Sequence, residues 1–119
     1  MTFVVPFATG EAMSQFHTVC RLDDLQEGVG RCFIVAGQIL ALFRQGDKVH
    51  AIDDACPHMG FSLAGGAVED GVVTCPLHAW RFRLEDGSWL ASPRVKVGCY
   101  RVRIDNDEVQ VEIPAEKSS

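Results

Sequence analysis

At 119 residues and 47% hydrophobic content, the chain can bury one modest core and has no room for a second, catalytic domain. Sixteen acidic residues against eleven basic ones give a formal net charge of -5, which argues against nucleic acid and against anionic lipid heads as partners. The apolar stretch Thr2 to Ala8 contains Pro6, follows no basic residue and falls far short of the ~20 residues of a membrane span, so neither a leader nor an anchor is expected.

In chain order, residues 1–12 read as a loose arm, and Met13 offers a second candidate start. Short strands then follow one another between Gly and Asp turns, with no sustained helical period. Phe16 to Arg21, Arg31 to Val35, Ile39 to Arg44 and Val49 to Ile52 are predicted strands, with Gly37 and Gln45-Gly46-Asp47 as turns. Leu22 to Leu25 suits one helical turn capped by Asp23 or Asp24. From Asp53 and Asp54 onward the acidic residues accumulate, which suits a partner with a basic docking face; a merely solvated surface explains them equally well.

The next segment carries the chemistry. Cys56-Pro57-His58 and Cys75-Pro76-Leu77-His78 form a Cys-x-His and a Cys-x-x-His pair, separated by the sixteen residues Met59 to Thr74. Two thiolates and two imidazoles from two short loops are a metal-ligand set, and the choice lies between zinc and iron–sulfur. A structural zinc site usually pairs Cys with Cys and His with His. Here each knuckle is mixed, which suits a centre of two unlike irons, one held by thiolates and the other by imidazoles. Gly60, Gly65 and Gly66 between the knuckles allow tight bends and close backbone approach, and each Pro stiffens the chain just after a thiolate.

After the knuckles, Trp80, Phe82 and Leu84 alternate with Arg81 and Arg83, giving an apolar and a cationic strand face. The cationic face is either solvated or a guide for docking near the metal; Trp80 and Trp89 are read as packing residues. Ser92-Pro93 marks a further loop or an ordinary turn. Tyr100 to Ile104, the turn Asp105-Asn106-Asp107, and Glu108 to Glu112 make a final hairpin, and residues 115–119 a frayed tail. About eight short strands at this spacing give an all-β sandwich or small barrel.

Cys20, Cys32 and Cys99 remain outside the knuckles. An odd remainder with no regular spacing suits a reducing cytoplasm, and all three are expected to be small buried hydrophobes. His17 and His50 each stand alone in a strand and read as ordinary hydrogen-bonded side chains.

Cys56 to Leu63 and Cys75 to Phe82 resemble the two ligand loops of the Rieske family, with Ala79 where that family commonly has Gly. A weaker likeness extends from about Phe16 to Ile113. The resemblance implies a Rieske fold: an antiparallel β-sandwich or incomplete barrel, one domain over 1–119, with a cluster-binding subdomain inserted at 54–93. It implies one 2Fe-2S cluster, with Cys56 and Cys75 on one iron and His58 and His78 on the other. Such a cluster changes charge by one electron and offers no open coordination site, so the chain reads as an electron carrier with no catalytic residue of its own. The implied role is the soluble ferredoxin of an aromatic-ring dioxygenase system, taking electrons from a flavoprotein reductase and giving them to an oxygenase. The small subunit of an assimilatory nitrite reductase is the alternative.

A catalytic Rieske oxygenase would need two further His and a carboxylate on a mononuclear iron. Only His17 and His50 are spare, and about 37 residues follow the second motif. A cluster-based sensor stands behind the carrier reading for want of any recognisable binding segment. High-potential relatives place a disulfide at the positions matching Phe61 and Leu77, and hydroxyl residues at those matching Trp80 and Phe82. None of these is present here, which implies a low reduction potential.

Overall fold

The computed structural model describes residues 14–55, 62–76 and 80–114. The knuckle residues 56–61 and 77–79, the arm and the tail lie outside the described residues. The architecture is all-β, as expected, with twelve strands among the described residues in three antiparallel sheets. No helix of the described residues is long and apolar enough to cross a membrane.

Strands β1 (Ser14–Arg21), β2 (Arg31–Val35), β3 (Gln38–Gln45) and β4 (Lys48–Asp53) contain the four predicted early strands. Between β1 and β2, Leu22–Asp24 forms a single 3-10 turn, and the Asp24 carboxylate accepts the Arg21 N–H at 2.9 Å. The central segment holds β5 (Ala67–Glu69), β6 (Val72–Thr74), β7 (Arg81–Arg83), β8 (Ser88–Trp89) and β9 (Ser92–Lys96), which pair in that order as a five-stranded sheet. The chain closes with β10 (Cys99–Tyr100), β11 (Val102–Asp105) and β12 (Glu108–Pro114).

β3 explains how three sheets share one molecule. Its run Leu40-Ala41-Leu42-Phe43 is completely buried on both faces. Alternation along a strand sends successive side chains to opposite sides. Leu40 and Leu42 join Val49, Ala51, Tyr100, Val109, Val111 and Ile113 in a core between the β10-β4-β3-β2 sheet and the β1-β12-β11 sheet. Ala41 and Phe43 turn the other way, to Ile52, Leu63, Val73, Cys75, Phe82 and Leu84, a second core beneath the five-stranded sheet. A strand covered on both faces reads as a continuous apolar run.

The final hairpin differs from the expected one. β11 and β12 join through Asn106 and Asp107, at φ 53° and 66°, the left-handed pair of a tight two-residue turn. Tyr100 belongs instead to β10, opposite Ala51 of β4. Its hydroxyl donates to Asp53 Oδ1 at 2.5 Å, while Asp53 Oδ2 accepts the Gly98 N–H at 2.9 Å. The chain therefore changes sheets at Arg101, because a buried phenol beside a carboxylate acceptor outweighs continuing the hairpin's alternation.

The spare cysteines also depart from expectation. Cys20 is partly buried, but Cys32 and Cys99 are exposed. Both sit in edge strands of the four-stranded sheet, where one side of the backbone has no neighbour to cover it.

Candidate metal centre

The first knuckle is closed at its base by Asp54, Ala55, Ser62 and Leu63. Leu63 N–H donates to the Asp54 carbonyl at 2.7 Å, Ala55 and Ser62 form an antiparallel bridge, and Asp54 N–H reaches back to the Ile39 carbonyl at 3.2 Å. The buried Asp54 carboxylate adds two bonds on one oxygen: Oδ1 accepts the Ser62 hydroxyl and the Ala64 N–H, each at 2.9 Å. It thus caps the 3-10 turn Leu63–Gly65, which follows the knuckle. Sequence reasoning counted Asp54 only among the surface acids. The groups it serves lie eight and ten positions away, so no local pattern exposes the role.

The second knuckle rises from β6. Cys75, directly after Thr74, is 1% exposed, and its N–H donates to the Trp80 carbonyl at 2.7 Å, closing the loop that contains His78. Gly66 lies so close to β6 that a Cβ there would stand 2.1 Å from the Thr74 carbonyl oxygen. Leu63 and Cys75 share the second core, so both knuckle bases rest on the same packed side chains. Of the four sequence-predicted ligands, Cys75 alone is among the described residues; Cys56, His58 and His78 lie outside them. A buried sulfur packed on the same core as Leu63 at the base of the first knuckle suits an iron–sulfur centre, where burial and backbone donors tune the charge of the cluster.

Beside the second knuckle, the Trp80 and Trp89 rings stack with centroids 3.8 Å apart and planes 9° from parallel. Phe82 lies wholly buried between Val73 and Trp89 of the neighbouring strands. Ser92 and Pro93 do not form a loop: they open β9, an edge strand, where a missing N–H is tolerated.

The remaining candidates resolve into structural groups. His50 Nε2 lies 2.8 Å from Gln45 Oε1, and burial, assisted by Lys48, lowers its pKa and favours the neutral ring. Desolvation raises the Cys20, Cys32 and Cys99 thiols, each assisted by a nearby carboxylate: Asp24, Asp54 and Asp86 respectively. A raised thiol is the opposite of an activated one.

Residues 15–112 match the family model of the Rieske-like [2Fe-2S] domain. The chain belongs to this family. The alkene monooxygenase ferredoxin component of Xanthobacter autotrophicus is 31% identical over 82% of the chain and 80% of its own length. The nitrite reductase (NADH) small subunit of Salmonella typhimurium is 33% identical over 83% of the chain and 98% of its own length. Among solved structures, a chain from the complex of reduced oxygenase and oxidized ferredoxin in carbazole 1,9a-dioxygenase superposes with a TM-score of 0.72, at 34% identity, covering 80% of this chain and 99% of that one. The Rieske domain's cofactor is a 2Fe-2S cluster, and the protein is an electron carrier of the Rieske ferredoxin type.

Proposed function

We propose that Cys56 and Cys75 hold one iron of the cluster and His58 and His78 the other, in a single domain whose residues 54–93 form the cluster-binding subdomain. The protein then accepts one electron from a flavoprotein reductase and passes it to a terminal aromatic-ring oxygenase, in the cytoplasm. The observation that carries this reading is the placement of Cys75: buried, at the end of β6, on the same core as Leu63 at the base of the other knuckle. The similarity to a ferredoxin recorded with its oxygenase supports the acceptor. When bound, the cluster supplies a one-electron couple with no open site for substrate. The chain's residues have the tasks of holding it, limiting its access to water and presenting a docking face.

A second reading, the small Rieske subunit of a nitrite reductase, is favoured by the 33% identity to the Salmonella subunit over 98% of that subunit's length. Reconstitution separates the two: the reduced protein is offered to a Rieske oxygenase or to a nitrite reductase large subunit, and only the true acceptor turns over. The ligand assignment has its own test. Protein made anaerobically with iron should contain two iron and two acid-labile sulfide per chain, and a Rieske electron-resonance signal should appear on reduction. His58→Ala and His78→Ala should lose that signal and His50→Ala should keep it. One zinc and no sulfide would overturn the assignment.

A further inference from the structure

The five-stranded sheet carries a feature that electron storage does not require. Trp80, Arg81, Arg83, Trp89, Leu90 and Ala91 line an open groove of about 460 Å³ directly beside the second knuckle. The position is fixed by two backbone bonds: Cys75 N–H to the Trp80 carbonyl at 2.7 Å, and Leu90 N–H to the Arg81 carbonyl at 2.9 Å. The Trp80–Trp89 stack beneath it packs against the second core with Phe82. Arg81 and Arg83 are both exposed, one register apart on β7, opposite Thr74 and Val72 of β6.

The two guanidinium groups are not spent on internal ion pairs. Among the described residues the ion pair lies elsewhere, between Arg101 and Glu112 at 3.5 Å. Asp86 is near enough to Arg83 and Lys96 for both to lower its pKa, behind its bonds to Ser88, yet its Oδ1 is turned to the Ser88 N–H and hydroxyl at 2.9 and 2.7 Å. Two exposed forks, unpaired by salt bridges among the described residues and about 7 Å apart along a strand, fit two carboxylates on alternate residues of an extended segment, or one turn apart on a helix. Leu90 and Ala91 add apolar area to the groove, and Arg is among the residues that dominate binding energy in protein interfaces. A cationic groove on a chain of net charge -5 is a local reversal of sign. It selects an acidic partner at one place, where the chain as a whole would repel it.

We propose that this groove is the seat for an acidic segment of an electron-transfer partner, with two carboxylates on Arg81 and Arg83 and an apolar side chain against Leu90 and Ala91. The proposal rests on the carrier reading, because it explains why such a surface stands next to the cluster.

The test uses the cluster-loaded protein and a dye-labelled, capped peptide alternating Glu and Leu, with a Lys-for-Glu peptide as its counterpart, followed by fluorescence anisotropy. The acidic peptide should bind and the basic one should not. The double variant Arg81→Glu, Arg83→Glu should weaken binding about tenfold, in keeping with two exposed ion pairs, and Arg81→Gln, Arg83→Gln should fall between it and the wild type. Arg101→Glu should bind like the wild type. Equal binding of both peptides, equal loss in Arg101→Glu, or tighter Arg-dependent binding of benzoate than of the peptide would overturn the proposal. Chemical reduction of the cluster, read by electron resonance in every variant, keeps the two readings apart. If the cluster reduces normally while the peptide results fail, the groove assignment falls and the carrier reading stands; if no Rieske signal appears in the wild type, the carrier reading itself falls.

Discussion

Replacing Gly66 by Ala tests whether the knuckles depend on close backbone packing. Gly66 has φ -83° and ψ 160°, a conformation Ala adopts freely, so any penalty comes from space alone. The added Cβ would stand 2.1 Å from the Thr74 carbonyl oxygen, 3.0 Å from the Thr74 carbonyl carbon and 3.0 Å from Val73 Cγ2. The first of these is backbone of β6, one residue before Cys75, and it cannot rotate away. Relief requires a shift of about 1 Å that parts β5 from β6 or tilts the strand that delivers the cysteine. Overpacking of this kind costs about 1–3 kcal/mol. For a domain of this size that is roughly 3–15 °C in the thermal midpoint. Gly65→Ala is the matched control. Nothing lies within 4 Å of the place its new methyl group would occupy, and its φ is not left-handed, so reducing unfolded-state freedom should stabilise by about 0.4–1 kcal/mol. The assay is unfolding of the cluster-loaded protein followed by circular dichroism and by the visible absorbance of the cluster, with iron and sulfide counted in each preparation. Neighbouring glycines should give opposite signs, with cluster loss confined to Gly66→Ala. Equal effects at the two positions, or a wild-type midpoint for Gly66→Ala, would refute the packing argument.

Two further outcomes follow from the site. Asp54→Ala strands the Ser62 hydroxyl and the Ala64 N–H and should cost about 1–3 kcal/mol and speed iron loss to a chelator; Asp54→Asn keeps an oxygen at the Oδ1 position and should lose much less, and equal losses in the two variants would count against the tie. For the potential, the wild type should lie near the low end of the Rieske range, around -150 mV. Phe82→Tyr should raise it by tens of millivolts and at most about 65–130 mV, the equivalent of one charge-assisted hydrogen bond to the reduced cluster at roughly 43 mV per kcal/mol. Voltammetry showing a positive wild-type potential, or no rise in the variant, would contradict this.

What was legible in the sequence is what depends on local pattern. The early strands and the turn expected at Asp105–Asp107 follow from alternation and turn chemistry, and they appear within a residue or two of their expected limits, the turn itself narrowing to Asn106 and Asp107. What was not legible depends on which surface meets which. Gly65 and Gly66 are indistinguishable as letters, yet only Gly66 faces a neighbouring carbonyl. Tyr100 continues the alternation of the strand after it, yet is drawn into the other sheet by Asp53. Cys32 sits among apolar neighbours in sequence and at an open sheet edge in space. The site divides in the same way: the ligand types and spacings were local, whereas Asp54, the acceptor that closes the first knuckle, acts over eight and ten residues.

The placement of the second core has a consequence for electron transfer. Cys75 is not held by its loop alone. It is packed with Leu63 and Phe82 against Ala41, Phe43 and Ile52, and these three belong to the sheet whose other face forms the scaffold's main core. Protein interiors are close-packed and resist deformation, so a thiolate seated there inherits the stiffness of both cores. On the proposed ligand set, a Cys75 that barely moves when the cluster gains or loses an electron would leave little reorganisation to overcome. On the same ligand set, the apolar surroundings of Cys75 would disfavour the more negative, reduced state, in the same direction as the missing hydroxyls at Trp80 and Phe82. Burial of β3 on both faces therefore serves two ends at once: it joins the sheets, and, on the proposed ligand set, it seats Cys75 of a low-potential centre on a rigid base.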